Sequence, residues 1–238
     1  MDFFINIFSS LINWLNSYVG DYGWALVLLG VITKLMILPL YVKQIQVSIE
    51  LSEKMKKIRP YMLKLQEKYK DIKDPETMRE LYKKQMELYQ NLGFNPIGGC
   101  FTSILLSLIQ LPILAGVFFA VKKEINILQN ISFLWIKSLA KSDMILFLLY
   151  VLSMYVSFKV MPTSYDDEQS KKQAEQFQII MLLLFSFLFY SFPSAFILYW
   201  LAFNLTSIPI SIILYKIFKP KEITQEQLNR IAKIAEEK

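Results

Sequence analysis

The stretch Gln176–Tyr215, QFQIIMLLLFSFLFYSFPSAFILYWLAFNLTSIPISIILY, runs 40 residues without a charged side chain. As one helix it would be about 60 Å long, twice the hydrocarbon thickness of a bilayer. It must fold back, and Ser191-Phe192-Pro193-Ser194 marks the place, because proline turns the preceding residue away from helix. The segment therefore predicts two membrane spans, 176–192 and 193–216.

Three further apolar runs lie upstream. Trp24–Val42 is interrupted only by Lys34, Phe101–Val121 is uncharged, and Met144–Phe158 is 15 residues long and needs its flanks to span. They predict spans at 20–42, 95–121 and 143–160. The composition agrees: 54% hydrophobic and 19% charged residues, against about 45–50% and 25% in a soluble domain. The fold class expected is an all-α membrane protein with five transmembrane helices.

The same composition removes much chemistry. With no His, the chain has no Ser-His-Asp or Cys-His nucleophile system and no imidazole metal site. Its one Cys, Cys100, forms no internal disulfide and reads as a small packing residue beside Gly98-Gly99. No Walker-type glycine loop is present. Neither enzymatic activity nor a cofactor or metal is expected.

Charge placement sets the orientation. Residues 43–90 carry twelve Lys/Arg against eight acids, which makes that segment cytoplasmic, whereas only Asp2 and Asp21 precede Lys34 among charged residues. The chain is thus expected N-terminus out and C-terminus in. The 122–142 connection is then an external loop, and 161–175 and 217–238 are a cytoplasmic loop and tail. The four lysines in 122–143 run against the rule.

Residues 1–19 have no basic n-region. Polar Asn6, Ser9, Ser10, Asn13, Asn16 and Ser17 alternate with Phe4, Ile7, Phe8, Leu11, Leu15 and Tyr18 at helical spacing. They predict an amphipathic helix lying in the outer interface. Residues 43–94 predict a cytoplasmic helical hairpin. Leu51, Met55, Ile58, Met62, Leu65 and Tyr69 recur at threes and fours, a turn follows at Asp71–Asp74, and Asp74-Pro75 starts a second helix. Met78, Leu81, Tyr82, Gln85, Tyr89 and Leu92 mark its stripe, and Gly93 its end. Thr224-Gln225-Glu226-Gln227 is a capping box that predicts a tail helix.

Lys34 carries the functional signal. It lies ten residues from Trp24 and nine from Lys43, about 15 Å from either end of its run, too deep for its stem to reach water. A lysine at the centre of a span costs about 2.5–3.5 kcal/mol on insertion scales, and such residues face a bundle interior or a wet cavity. No Asp or Glu lies within the apolar runs 24–42, 101–121, 144–158 or 176–215 to pair with it. Thr33, Ser103, Ser107, Gln110, Ser153, Ser157, Asn204 and Thr206 supply polar groups at depth. Pro39, Pro112 and Pro209 each free a backbone carbonyl that neighbours or water must satisfy. A partly hydrated concavity around a cation follows.

At this point the sequence resembles the YidC/Oxa-type membrane protein insertases. Gly23-Trp24 with Val31-Ile32-Thr33-Lys34-Leu35-Met36-Ile37-Leu38-Pro39-Leu40 is similar to the family's first core span. Arg59-Pro60, Asn95-Pro96-Ile97-Gly98-Gly99-Cys100-Phe101, Gln110-Leu111-Pro112-Ile113, Phe133-Leu134-Trp135-Ile136 and Met161-Pro162 follow in order, as do Phe192-Pro193-Ser194-Ala195, Leu198-Tyr199-Trp200 and Asn204-Leu205. The resemblance implies a five-span bacterial inner-membrane insertase and chaperone. Its hydrophilic groove opens to cytoplasm and lipid and is closed outside by apolar packing. Lys34, Thr33, Ser107, Gln110, Ser157, Tyr199, Trp200 and Asn204 would form that groove.

It also implies partners: nascent membrane proteins as clients, the ribosome through hairpin and tail, a Sec-type translocon, and membrane lipids, with no sequence-specific nucleic-acid contact. Some residues depart from the family pattern. Lys34 stands where the family usually has Arg, so it acts as a fixed cation only where water reaches it. Phe158 replaces a polar residue, and the tail is less basic than tails that grip ribosomes. No large external domain precedes the core, as in a compact member or a trimmed chain. A small transporter or channel is the alternative function. A Ser/Lys hydrolase using Lys34 with Ser103 or Ser107 lacks a nucleophile-elbow signature.

Overall fold

The computed structural model describes residues 2–69, 74–92, 108, 110–160, 168–219 and 223–236. Within them the helices are α1 (Asp2–Val19), α2 (Tyr22–Met36), α3 (Leu38–Lys68), α4 (Pro75–Asn91), α5 (Gln110–Lys123), α6 (Ile125–Leu128), α7 (Met144–Val160), α8 (Glu168–Phe189), α9 (Ser194–Ile217) and α10 (Gln225–Glu236). No strand occurs among the described residues, only an isolated bridge between Phe133 and Ile136. Cys100, Gly93, Asp71, Ser103, Ser107 and Met161-Pro162 lie outside the described residues.

α9 is the axis. Alone among the described residues it is long and apolar enough to cross a membrane by itself; the bent pair α2 and α3 passes the same test together, and α7 is a shorter apolar helix. α9 packs along α2 and α7 and reaches α3 and α5. Its first turn, which has no intrahelical acceptors for its amides, is held by the loop before α7. The Ser194 amide donates to the Lys141 carbonyl at 2.8 Å and the Ala195 amide to the Leu139 carbonyl at 2.9 Å. The fold-back at 191–194 is therefore clamped to the 122–142 segment, and Pro209 sits inside α9 without ending it.

The first predicted span is two helices meeting at Ile37 with a 60° bend. Pro39, in the first turn of α3, has no amide to continue the α2 ladder. α3 then runs unbroken to Lys68, through Pro60 and across the expected boundary at residue 43. That boundary was a change in charge density, and charge ends the hydrocarbon, not the helix. The same correction applies to α8, which begins at Glu168 inside the expected loop 161–175. Its Lys171, Lys172, Gln173, Ala174 and Glu175 are good helix formers. α8 packs on α7 and leaves Phe177, Ile180, Leu183 and Phe187 exposed.

α1 lies against both α2 and α5. Phe8, Ile12 and Leu15 are its buried stripe, while Ile7 and Tyr18, expected on the apolar face, are exposed with Phe3 and Trp14. Its asparagines tie it to the bundle: Asn6 accepts from Lys123 at 3.1 Å and Asn13 from the Tyr22 hydroxyl at 3.2 Å. α1 is thus packed on the bundle by one face.

The 124–143 segment is a built cap. Leu128, Ile136 and Leu139 are buried in the main core, and Phe133 seats its ring on Gly23 of α2. Asp143 accepts from the Leu146 amide at 2.8 Å, starting α7, and from the Trp135 indole at 3.1 Å. At the opposite end, α3, α4 and α10 form a second core of Ile58, Leu65, Tyr69, Leu88, Leu92 and Ile231. The expected two-helix hairpin is a three-helix unit, with the tail as its third member. Met78 and Tyr82 are exposed, so the α4 stripe is Leu81, Leu88 and Leu92.

Candidate functional site

Gly30 sets the geometry. A Cβ there would stand 2.6 Å from the Tyr199 carbonyl oxygen and 3.0 Å from the Ala202 Cβ. Only a residue without a side chain lets α2 and α9 approach this closely. One turn further along α2, Lys34 is pressed against α9 and is 2% exposed, the single buried lysine or arginine among the described residues.

Lys34 lines a cavity of about 370 Å³ between α2, α3, α7, α8 and α9. Its Nζ lies 3.0 Å from the centre of the Tyr41 ring and 4.9 Å from that of Phe203. Among the described residues no Asp or Glu lines the cavity. The Lys34 amine is thus met by ring faces, whose quadrupole attracts an ammonium, and by the polar groups of Gln44, Ser157, Asn204, Ser207 and Ser211. The serine donors are turned onto their own helices. Ser157 donates to the Ser153 carbonyl at 2.9 Å, Ser207 to Phe203 at 2.8 Å and Ser211 to Ser207 at 2.8 Å. Their oxygens keep lone pairs for an ammonium, water or a guest.

Of the residues expected from sequence, Lys34, Ser157, Trp200 and Asn204 line the cavity, as does Phe158. Thr33 and Tyr199 are buried but off its wall, and Thr33 donates to the Leu29 carbonyl at 2.7 Å. Successive helical residues point about 100° apart, so neighbours of wall residues face elsewhere. Ser153 and Thr206 bond to their own helices off the wall. Ser107 and the Gln110 side chain lie outside the described residues.

Sequence reading missed Tyr41, Gln44, Ser207 and Ser211. The signal for two of them was legible: Asn204, Ser207 and Ser211 recur at three and four, a polar stripe on an apolar helix. Toward the 191–194 turn, Trp200 and Phe203 of the cavity wall continue into a run of packed aromatics. Phe192 and Phe196 are 5.3 Å apart, Phe196 and Trp200 5.7 Å, and Trp200 and Phe203 5.8 Å.

A helical bundle with a buried lysine beside a cavity lined in part by polar groups, and two helical stretches fit to cross a bilayer, defines an α-helical membrane protein built around an internal site. The 60Kd inner membrane protein family matches residues 14–222, and the chain belongs to this family, that of the YidC insertases. With its relatives it is a bacterial inner-membrane protein. The membrane protein insertase YidC of Wolinella succinogenes is 34% identical over 222 residues, which cover 92% of this chain and 38% of that protein. Its counterpart in Francisella tularensis subsp. novicida is 35% identical over 210 residues, 87% of this chain and 35% of that one. The chain therefore spans 38% or less of the length of these two relatives. A crystal structure of an active YidC insertase with its first transmembrane domain resolved aligns with a TM-score of 0.53 at 27% identity, covering 86% of this chain and 45% of that one.

Proposed function

We propose that this chain is the core of an insertase that moves hydrophobic segments and their short polar flanks from the cytoplasm into the bilayer. The observation that carries the reading is Lys34, buried in a cavity lined in part by polar groups and, among the described residues, by no carboxylate. A client's acidic flank finds there the charge it loses on leaving water. Two unit charges 4 Å apart gain about 4 kcal/mol at an effective dielectric of 20, comparable to the insertion cost of one charged residue. Burial of the client's apolar segment supplies the driving force, and the membrane potential helps an acidic flank outward.

In this reading five spans, 20–42, 95–121, 143–160, 176–192 and 193–216, form the core, with the N-terminus outside and the C-terminus in the cytoplasm. The cavity communicates with the cytoplasm and with lipid as a hydrophilic groove. The α3–α4–α10 unit faces the ribosome, and a Sec-type translocon cooperates with some clients. The packed aromatic run from Phe192 to Phe203 argues against a through-going channel, and the lining among the described residues offers no acid for proton-coupled transport.

Reconstitution of the purified chain into liposomes tests the proposal. Insertion of a short single-span client without solute leak supports it. Solute flux without insertion replaces it with the transporter reading.

A further inference from the structure

Lys34 and Tyr41 are seven residues apart, so on a straight helix they would sit two turns and about 10 Å from each other along the axis. The 60° bend between α2 and α3 folds Tyr41 back over Lys34, bringing Nζ to 3.0 Å from the ring centre. The ring is pinned in that pose. The Tyr41 and Ser211 oxygens are 2.6 Å apart, and Ser211 already donates to the Ser207 carbonyl at 2.8 Å, so the Tyr41 hydroxyl is the donor. α9 thus holds Tyr41 with its face on the ammonium.

We propose that Tyr41 is the specificity-determining residue of the site: its pinned ring stands in for an acidic group over Lys34, and a client's carboxylate displaces it. This rests on the reading that Lys34 receives client flanks. A carboxylate offers Lys34 a full negative charge where the ring offers a quadrupole, so an acidic flank replaces Tyr41 and a neutral flank does not. Displacement leaves Ser211 bonded to the Ser207 carbonyl, so the serine donor on α9 stays satisfied and the ring returns when the client leaves. Among the described residues the cavity lining has no Asp or Glu to compete for the ammonium.

The test uses the full chain in lipid nanodiscs, with acetylation of Lys34 by acetic anhydride read by mass spectrometry against Lys137 of the external segment. In Tyr41→Leu the Lys34 rate should rise at least about fivefold, and in Tyr41→Phe, which keeps the ring, less than about twofold. Ser211→Ala removes the same hydrogen bond as Tyr41→Phe and keeps the ring, so it should likewise change the rate less than about twofold; if Tyr41→Leu does not fold, Tyr41→Met carries the test with the same expected rise. In liposomes, the preference for an acidic-flank client over a neutral-flank client should drop at least about threefold in Tyr41→Leu. A Lys34 rate that is unchanged in a folded Tyr41→Leu, or an unchanged client preference, overturns the proposal. Acetylation needs no client. A wild-type chain that inserts neither client therefore removes the insertase reading, while the covering of Lys34 by Tyr41 is still decided by the acetylation rates.

Discussion

Gly30 of α2 meets the backbone of Tyr199 on α9: a Cβ at position 30 would come within 2.6 Å of the Tyr199 carbonyl oxygen. The obstacle is main chain, which cannot rotate aside, so any side chain must push the two helices apart. Gly30→Val should lower stability by about 1–3 kcal/mol through overpacking. It should also widen the seam that presses Lys34 against Phe203. Gly20→Asn serves as the comparison. Its φ of +74° lies in the left-handed region that Asn tolerates, and nothing stands within 4 Å of its Cβ position, so it should cost under about 1 kcal/mol. Thermal unfolding in detergent orders the two.

Phe133 and Gly23 form a complementary pair on the other end of α2. A Cβ on Gly23 would lie 2.1 Å from the Phe133 ring, so Gly23→Ala should dislodge the 124–143 cap. Phe133→Leu alone should cost less, and the double variant Gly23→Ala/Phe133→Leu should recover part of the loss. A double-mutant cycle on unfolding temperature measures this, and a coupling energy near zero would separate the cap from α2.

What the sequence made legible follows from length and charge. The fold-back near Pro193 was readable because 40 uncharged residues exceed a bilayer, and Lys34 because one cation interrupts an apolar run. Features that depend on contacts across the fold were not readable. The continuation of α3 past residue 43 leaves no composition signal, since helices cross the membrane boundary freely. Tyr41, at the end of an apolar run, carries no signal in the sequence, and only the 60° bend turns it inward over Lys34. Ile231, on a weakly apolar tail helix, gives no hint that its partners are Ile58, Leu65 and Leu88.

Ile231 makes the next prediction. It is fully buried between α10, α3 and α4 in a core separate from the one around α9. Ile231→Asp places an unpaired charge there. Hydrogen exchange should then accelerate over 55–68 and 81–92 and stay unchanged over 194–207, because the two cores open as different units. Equal acceleration in both regions would mean that they unfold together.

Topology is open to direct labelling. In a Cys100→Ser background, Trp135→Cys should react with a membrane-impermeant thiol reagent added outside intact cells. Met78→Cys should react only after the membrane is opened. Both side chains are exposed, so access reports the side of the membrane and not burial. The reverse pattern would invert the N-out, C-in assignment.

The central claim, that the charge of Lys34 receives the polar flank of a client, is tested most directly by insertion rates for acidic-flank and neutral-flank clients in liposomes carrying Lys34→Arg or Lys34→Met. The account predicts that Lys34→Arg inserts both clients within about twofold of wild type. Lys34→Met should slow the acidic-flank client at least about tenfold, a fraction of the gain from one charge pair at an effective dielectric of 20, and leave the neutral-flank client nearly unchanged. Wild-type insertion of the acidic-flank client by the Lys34→Met protein would contradict it.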